Sequence, residues 1–430
     1  MKTIGTALFL GISSVPAALA ETGAELIYRL PPDKLEKAVV LGRERVFLHF
    51  GSELWGLAVL WLLLATGVAA RLGGWTTQKT RHRWLQSAIY SAALVAITFL
   101  AAEVPFAAVG HVISVHYGIS VEGWMPWLLD LMKGLGVAIA LETPLFMLAF
   151  GLIRWGRSKR RYWFWFWTAS LPIMVVGTFL LPALIEPLFN TYEPLARSHP
   201  ALVQDLERVV ARTGTSIPPE RMFLMKASEK CNGLNAYVTG IGSSKRIVIW
   251  DTTADRMPED EILFTFAHES GHYVLNHIPK GLAIGAVGML VFFWLTAVLS
   301  EWLVRKFGVR WYIESISSLP GLTVLLFVVM TLQAVTEPIG NFASRYIEHQ
   351  ADIYGQEAIH GIVPDPQRTA VAAFQQLGEV YLDDPYPNGF VEFWMEDHPS
   401  IQSRAIFAAH YNPWVPNPLN PGQTPEFFPK

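Results

Sequence analysis

The chain has little charge and almost no cysteine. Only 16% of its 430 residues are Asp, Glu, Lys or Arg, whereas 52% are hydrophobic. A soluble protein has roughly a quarter of its residues charged, so this composition predicts a membrane protein. The formal net charge of -3 and the lack of a long basic run argue against a nucleic-acid partner. With the single cysteine Cys231, an intramolecular disulfide and a multi-cysteine zinc site are excluded, so any metal must be held by His and carboxylate side chains.

The first twenty residues have the pattern of a secretory signal peptide. Lys2 is followed by the apolar residues 4–15 and by small residues that end at Ala20, before the polar Glu21. The alternative is an uncleaved first transmembrane helix over residues 1–20, which the length just allows.

Six further apolar stretches are each about long enough to cross ~30 Å of hydrocarbon as a helix. They predict a mainly α, polytopic membrane protein with four spans in residues 54–189 and two in residues 280–336. The stretches are 54–70, 84–102, 134–153, 162–189, 281–300 and 317–336.

The polar parts of the chain are predicted to form a juxtamembrane segment and a catalytic domain in two pieces. Residues 21–53 make up the juxtamembrane segment, and residues 190–279 the first catalytic piece, with a Val/Ile-rich strand at 246–250. Residues 337–411 form the second, helical piece. The tail at 412–430 is too rich in Pro and Asn for regular structure.

Three carboxylates interrupt the apolar stretches. Glu103, Glu142 and Glu186 lie within them or at their ends, where a charge is expensive. Such residues face a water-filled cavity or a polar partner, or else reach water at the interface. The interfacial position fits Glu103 and Glu186 nearly as well, and fits Glu142 less well.

The chemistry-bearing motif is His268-Glu269-Ser-Gly-His272 within a helix-compatible stretch. Positions four apart share one helical face, so both imidazoles can bind one zinc while Glu269 points to the bound water. A catalytic zinc needs a third protein ligand and an open position for water.

Glu348 is the best candidate for that third ligand. Asp352 lies four residues further on, where it can accept a hydrogen bond from a ligand imidazole. Without the upstream motif, the same segment would be interpreted as a solvated amphipathic helix with an Arg345–Glu348 pair.

Taken together, several motifs resemble the type I CAAX prenyl proteases, over most of residues 28–410. The motifs are Asn235-Ala236-Tyr237, residues 245–251, His268-Glu-x-x-His272, Arg345-x-x-Glu348-x-x-x-Asp352, His398-Pro399, Leu30-Pro-Pro32 and residues 185–189. Two features depart from the family: a signal-peptide-like segment replaces its first transmembrane helix, and the loop at 116–120 lacks the usual acidic residue and Gly-Phe-Asn pattern.

The resemblance implies transmembrane helices that enclose a water-filled chamber, closed at one end by a zincin-like metalloprotease domain with a small β element. It also implies that Asn235, Ala236 and Tyr237 align a peptide by β-strand addition. His398 is then placed to stabilise the oxyanion, with Arg404 near it.

The expected function is a zinc-dependent membrane metalloendopeptidase with one Zn²⁺ per chain and Glu269 as general base. The expected partners are a peptide or protein substrate, prenylated or not, and the lipid bilayer; the chain is expected to be a monomer. An alternative is a quality-control or exported-protein processing protease of the same family without prenyl specificity. A remote alternative is a non-enzymatic transporter or receptor.

Positive charge is distributed unevenly among the loops. Residues 71–83, 154–161 and 305–310 are rich in Lys and Arg, whereas residues 109–128, on the other face, have none. Because such charge stays cytoplasmic, the pattern predicts a catalytic domain on the exoplasmic side of the cell, or inner, membrane.

Overall fold

The computed structural model of the protein describes residues 26–156, 161–415 and 423–428. The predicted signal peptide at 1–20 lies outside the described residues, as does part of the predicted tail.

The chain is predominantly helical. In chain order the helices are α1 (Pro32–Ala65), α2 (Val68–Lys79), α3 (Arg83–Thr98), α4 (Val104–His116), α5 (Trp124–Gly156), α6 (Tyr162–Phe179), α7 (Leu181–Phe189), α8 (Pro200–Thr213), α9 (Asp251–Arg256), α10 (Glu259–Val274), α11 (His277–Trp311), α12 (Gly321–Ala358), α13 (Pro366–Tyr381), α14 (Gly389–Met395) and α15 (Ile401–His410). The strands are β1 (Tyr192–Pro194), β2 (Met222–Met225), β3 (Ala236–Thr239) and β4 (Arg246–Trp250).

Within the described residues, five helical segments are long and apolar enough to cross a membrane. The number becomes six when α6 and α7, which meet at a 45° bend, are counted as one broken span. Each apolar stretch of the sequence overlaps one of these segments. The helices extend beyond the stretches because a hydropathy pattern detects only the part of a helix that faces hydrocarbon. The prediction of a multi-pass membrane protein is confirmed.

The second membrane-length segment, Arg83–His116, is interrupted by a π-helical turn, Phe99–Glu103, between α3 and α4. Pro105 follows at the start of α4 and has no N–H to donate to the carbonyl of Ala101, four residues back. The indole N–H of Trp55 on α1 donates to that carbonyl instead, at 2.7 Å. The turn therefore keeps its backbone satisfied within an apolar span.

The small β element is a four-stranded sheet in the order β1-β2-β4-β3. β2 and β4 are parallel, whereas the two outer pairs are antiparallel. β4 coincides with the strand predicted at 246–250, and Ile247, Val248 and Ile249 in it are fully buried. β3 lies at the edge of the sheet, and within the described part of the chain no strand pairs with its outer side.

The segment before α1 is bonded to the C-terminal part of the chain, at α15 and just after α13. Tyr28 is fully buried, and its hydroxyl donates to the carbonyl of Asp383 at 2.9 Å. Its backbone N–H donates to Gln402 at 2.9 Å. The start of α1 is thereby placed on the same side of the helical bundle as α13 and α15.

Candidate active site

α10 presents the His268-Glu269-x-x-His272 motif on a well-formed helix. Pro258 is its N-cap, and the first turn has three acidic residues. Negative charge at this position interacts favourably with the positive end of the helix dipole. One face of the helix is buried in the core. Its buried apolar residues are Ile262, Leu263, Phe264, Phe266 and Ala267.

α10 and α12 approach each other closely at two glycines. A Cβ added at Gly271 would lie 3.0 Å from the Tyr354 ring, and one at Gly355 would lie 3.0 Å from the backbone nitrogen of His268. Both contacts are tighter than a methyl group tolerates without movement of the neighbouring atoms. The two glycines therefore allow α12 to bring its carboxylates up to the histidines of α10.

Three side chains converge where the two helices meet. His268 Nε2 lies 3.3 Å from His272 Nε2 and 3.2 Å from Glu348 Oε2, and His272 Nε2 lies 3.5 Å from Glu348 Oε1. Donors that surround one zinc tetrahedrally at 2.0–2.1 Å are about 3.4 Å apart. Glu348 Oε2 is buried and accepts no hydrogen bond from the described residues. The spacing and this unsatisfied oxygen fit a metal ion shared by the three side chains.

Asp352 and Arg404 lie on the Nδ1 side of the His268 ring, away from the ligand cluster. His268 Nδ1 is 2.9 Å from Asp352 Oδ1, and Arg404 binds the same carboxylate through Nε at 2.9 Å and Nη2 at 2.6 Å. This arrangement orients the His268 ring with Nε2 toward the metal position. Because two of its donor nitrogens are bonded to Asp352, Arg404 supports His268 through that carboxylate.

The charge around His268 favours its protonated form when no metal is present. Burial alone lowers the pKa of His268, but the carboxylates of Asp352 and Glu348 outweigh burial and raise the pKa to about 9. A ligand imidazole must be neutral, so metal entry displaces this proton at neutral pH.

His398 lies on the loop between α14 and α15, at the open side of the site. Its Nε2 is 3.3 Å from Glu348 Oε2, and its Nδ1 is 2.7 Å from Asp397 Oδ1. The side chain is 48% exposed. Arg345 fixes the loop, since its Nη1 donates to the carbonyls of Glu392 at 2.9 Å and Glu396 at 2.5 Å. Arg345 therefore does not form the Arg345–Glu348 pair of the amphipathic-helix interpretation.

Glu269 is placed beside the ligand cluster without belonging to it. Burial raises the pKa of its carboxyl group, and the charge of Glu348 contributes in the same direction. A carboxyl group with a raised pKa accepts and returns a proton more readily near neutral pH than an ordinary glutamate does.

Comparison with known proteins identifies the family. The family model described as "Peptidase family M48" matches residues 196–411, half of the chain. The chain belongs to peptidase family M48. A second model, "CAAX prenyl protease N-terminal, five membrane helices", matches residues 13–191.

Individual relatives of this M48 peptidase match different shares of the chain. It is 31% identical to the "Uncharacterized metalloprotease YhfN" of Bacillus subtilis over 92% of this chain and 90% of that protein. It is 26% identical to the "CAAX prenyl protease 1 homolog" of Dictyostelium discoideum over 62% of this chain and 60% of that protein. The crystal structure of S. mikatae Ste24p has the same fold, with a TM-score of 0.74, 20% identity, and coverage of 88% of this chain and 90% of that one.

Family membership makes this chain a membrane metalloendopeptidase and confirms the resemblance inferred from its motifs. The predicted mainly helical fold with a small β element is confirmed as well. The remote alternative of a non-enzymatic transporter or receptor is not supported. All three predicted metal ligands meet in one cluster, and Asp352, Arg404 and His398 lie around it.

Two residues near the cluster were assigned no role from the sequence. His277 Nδ1 lies 3.2 Å from His272 Nδ1, and Asp397 contacts His398. The third histidine of the motif segment was visible in the sequence. Its position relative to His272 was not, because α10 ends at Val274 and α11 begins at His277 with a left-handed residue, Asn276, between them.

The predicted substrate-binding segment lies at the edge of the sheet. Asn235 is exposed and directly precedes β3, whereas Ala236 is buried. Tyr273, the residue after His272, donates its hydroxyl to the carbonyl of Val238 at 3.2 Å. This bond connects the edge strand to the helix that carries the histidines.

Proposed function

We propose that this M48 peptidase is a zinc endopeptidase whose ion is held by His268, His272 and Glu348. The observation that carries the proposal is the spacing of 3.2–3.5 Å among their donor atoms. Imidazole nitrogen and carboxylate oxygen are the donors found in catalytic zinc sites with three protein ligands. Zinc bound there supplies Lewis acidity, which lowers the pKa of a water ligand and polarises the substrate carbonyl.

The side chains around the ion handle protons and charge. Glu269 takes the proton of the attacking water and returns it to the leaving amine, consistent with the raised pKa of its carboxyl group. Burial lowers the pKa of His398, but Asp397 and Glu348 outweigh it and the pKa is raised. A protonated His398 then donates to the developing oxyanion.

The free side of β3 holds the substrate in an extended conformation. The N–H of Trp250 donates to the carbonyl of Asn235, so Asn235 and Tyr237 face β4 while the backbone groups of Ala236 face the open edge. A peptide added there as a strand is bound mainly through its backbone. The side chain of Tyr237 is held in place by its hydroxyl, which donates to the Glu186 carboxylate at 3.2 Å.

We further propose that the substrates are prenylated peptides of the CAAX type. Support comes from the similarity to eukaryotic proteins described as CAAX prenyl protease 1. The match of residues 13–191 to the CAAX prenyl protease N-terminal model supports it as well. The intramembrane carboxylates of the helices fit a water-filled chamber that admits such a peptide from the membrane side.

The test compares three substrates with the purified enzyme: a prenylated CAAX peptide, its unprenylated twin and an unfolded membrane protein. We expect zinc-dependent cleavage of the prenylated peptide with the highest kcat/KM, and none by the Glu269→Gln variant. Equal cleavage of the unprenylated twin would remove the prenyl specificity. Preferential cleavage of the unfolded protein would instead establish a quality-control protease.

A further inference from the structure

A second cluster of metal-binding side chains lies in the helical bundle, away from the site described above. His49, Glu53 and Glu337 each offer a ligand atom, and these atoms all lie within 4.8 Å of one another. His49 Nε2 is 3.2 Å from Glu337 Oε2. Among the described residues, the cluster of His268, His272 and Glu348 is the only other group of three that meets the same distance limit.

The cluster joins two helices that are far apart in the sequence. His49 and Glu53 lie one turn apart on α1 and therefore share a face, while Glu337 lies on α12. Glu337 precedes Glu348 by 348 - 337 = 11 residues, about three helical turns and about 16 Å along the same face of α12. The second cluster is thus on the helix that carries the third catalytic ligand, but too far away to share its ion.

Two members of the cluster, His49 and Glu53, line a cavity of about 550 Å³ between α1, the π-helical turn, α4 and α12. His49, Glu53 and Glu103 line this cavity together with apolar side chains, and no Lys or Arg is among its lining residues. Among the described residues, Glu337 forms an ion pair with His49, and no Lys or Arg pairs with Glu53 or Glu337. Two neighbouring carboxylates in an apolar span are neutralised either by a positive ion or by a shared proton.

We propose that His49, Glu53 and Glu337 bind a second divalent transition-metal ion, in addition to the ion at His268. One imidazole nitrogen and two carboxylate oxygens suit zinc, whereas Mg²⁺ and Ca²⁺ take oxygen ligands and do not favour imidazole. The ion neutralises both carboxylates and crosslinks α1 to α12. Because His49 and Glu53 line the cavity, water or a polar group of a substrate there would complete the coordination of the ion.

Metal content of the full-length protein in detergent tests the proposal. After removal of metal and equilibration with zinc, elemental analysis is expected to give two ions per chain for the wild type. One ion is expected for the His272→Ala/Glu348→Ala variant, and one for Glu53→Gln/Glu337→Gln. Glu103→Gln is the matched control, because it removes a carboxylate of the same cavity outside the cluster; it should retain two.

A melting measurement gives an independent readout. In the His272→Ala/Glu348→Ala background, zinc should still raise the melting temperature, since an ion that binds only the folded state stabilises it. The added change His49→Ala should abolish that rise. A single ion in the wild type, or two ions in Glu53→Gln/Glu337→Gln, would overturn the proposal. The former result would mean that the carboxylates are neutralised by a shared proton.

Discussion

His277 Nδ1 lies 3.2 Å from His272 Nδ1, at the start of the helix that follows α10. The contact gives His272 the kind of support that Asp352 gives His268. In both cases the ring nitrogen that points away from the ligand cluster has a polar partner. Such partners fix the tautomer and the orientation of a ligand imidazole.

Replacement of His277 by Ala is therefore expected to lower metal affinity by about 10- to 100-fold, the usual effect of losing a support of this kind. Zinc titration with a competing chelator measures it. His277→Asn, which keeps a polar atom near the Nδ1 position, should recover part of the affinity. His116→Ala is a control at an exposed histidine. Unchanged affinity in His277→Ala would show that the contact has no role in the site.

Removal of the third ligand should be more damaging than removal of its supports. Glu348→Ala leaves two imidazoles, and we expect the zinc at the catalytic cluster to be lost at concentrations that saturate the wild type. Elemental analysis at defined free zinc measures the loss. Glu392→Ala, close by on α14 but outside the ligand cluster, serves as the control. A catalytic zinc content equal to that of the wild type would exclude Glu348 from the ligand set.

Glu269→Gln should separate metal binding from catalysis. The amide keeps the shape of the side chain but cannot accept a proton, so zinc should remain bound while kcat falls by at least 10²- to 10⁴-fold. Peptide cleavage and metal content are measured on the same preparation. Loss of one equivalent of zinc in this variant would contradict the assignment of Glu269 as a base that is not a ligand.

The three candidate ligands could be predicted from the sequence because their signals are local. His268 and His272 are four residues apart on one helix, and Glu348 was found from its own four-residue spacing to Asp352. The contacts of His277 and the cluster of His49, Glu53 and Glu337 depend on how helices pack, which a pattern along one helix does not encode. The hydropathy pattern likewise predicts an apolar span at 317–336, which overlaps the first part of α12. It does not predict that the same helix continues to Ala358. That continuation carries Glu348 from the membrane-length segment into the catalytic cluster.

Glu261, in the first turn of α10, provides a pH-dependent test of the helix. Burial raises the pKa of its carboxyl group to about 7 from 4.5, and its Oε2 has no hydrogen-bond partner among the described residues. Between pH 4.5 and about 7, the Glu261 carboxyl group therefore stays protonated in the folded protein but ionises in the unfolded chain. This contribution to stability is complete below pH 4.5 and is lost as the pH rises through 7.

Glu261→Gln should therefore be more stable than the wild type at pH 8, by about 1 kcal/mol once partial solvent exposure is taken into account, and equal to it near pH 4.5. Melting temperatures measured across this range give the comparison. The exposed Glu229→Gln is the matched control. A stability difference that is independent of pH would refute the ionisation argument.

The side of the membrane that the active site faces can be predicted from loop charges combined with contacts. The loop between α4 and α5 lies against the catalytic half, which is formed by residues 190–279 and 337–411. The Val121 N–H donates to the carbonyl of Lys230, and the Asn232 N–H donates to the carbonyl of Ile119, both at 2.9 Å. That loop belongs to residues 109–128, which contain no Lys or Arg. The basic segments at 71–83 and 305–310 lie at the opposite ends of their helices. Positive segments stay cytoplasmic, so the catalytic half is predicted to be exoplasmic.

Fusions to the C-terminus report on this side, because residues 426–428 are bonded to the catalytic half. The backbone N–H groups of Glu426, Phe427 and Phe428 all donate to the carboxylate of Glu357, at 2.6–2.8 Å. We expect alkaline phosphatase fused after Lys430 to be active and a fluorescent protein at the same point to be dark, since the phosphatase needs the oxidising exoplasmic space to form its disulfides. Matched fusions within 71–83 should give the reverse pattern. A fluorescent C-terminal fusion with inactive phosphatase would place the site in the cytosol, where a prenylated substrate would meet it directly. The expected exoplasmic result would instead count against prenylated substrates, because CAAX proteins are prenylated in the cytosol, and would favour quality control or processing of exported proteins.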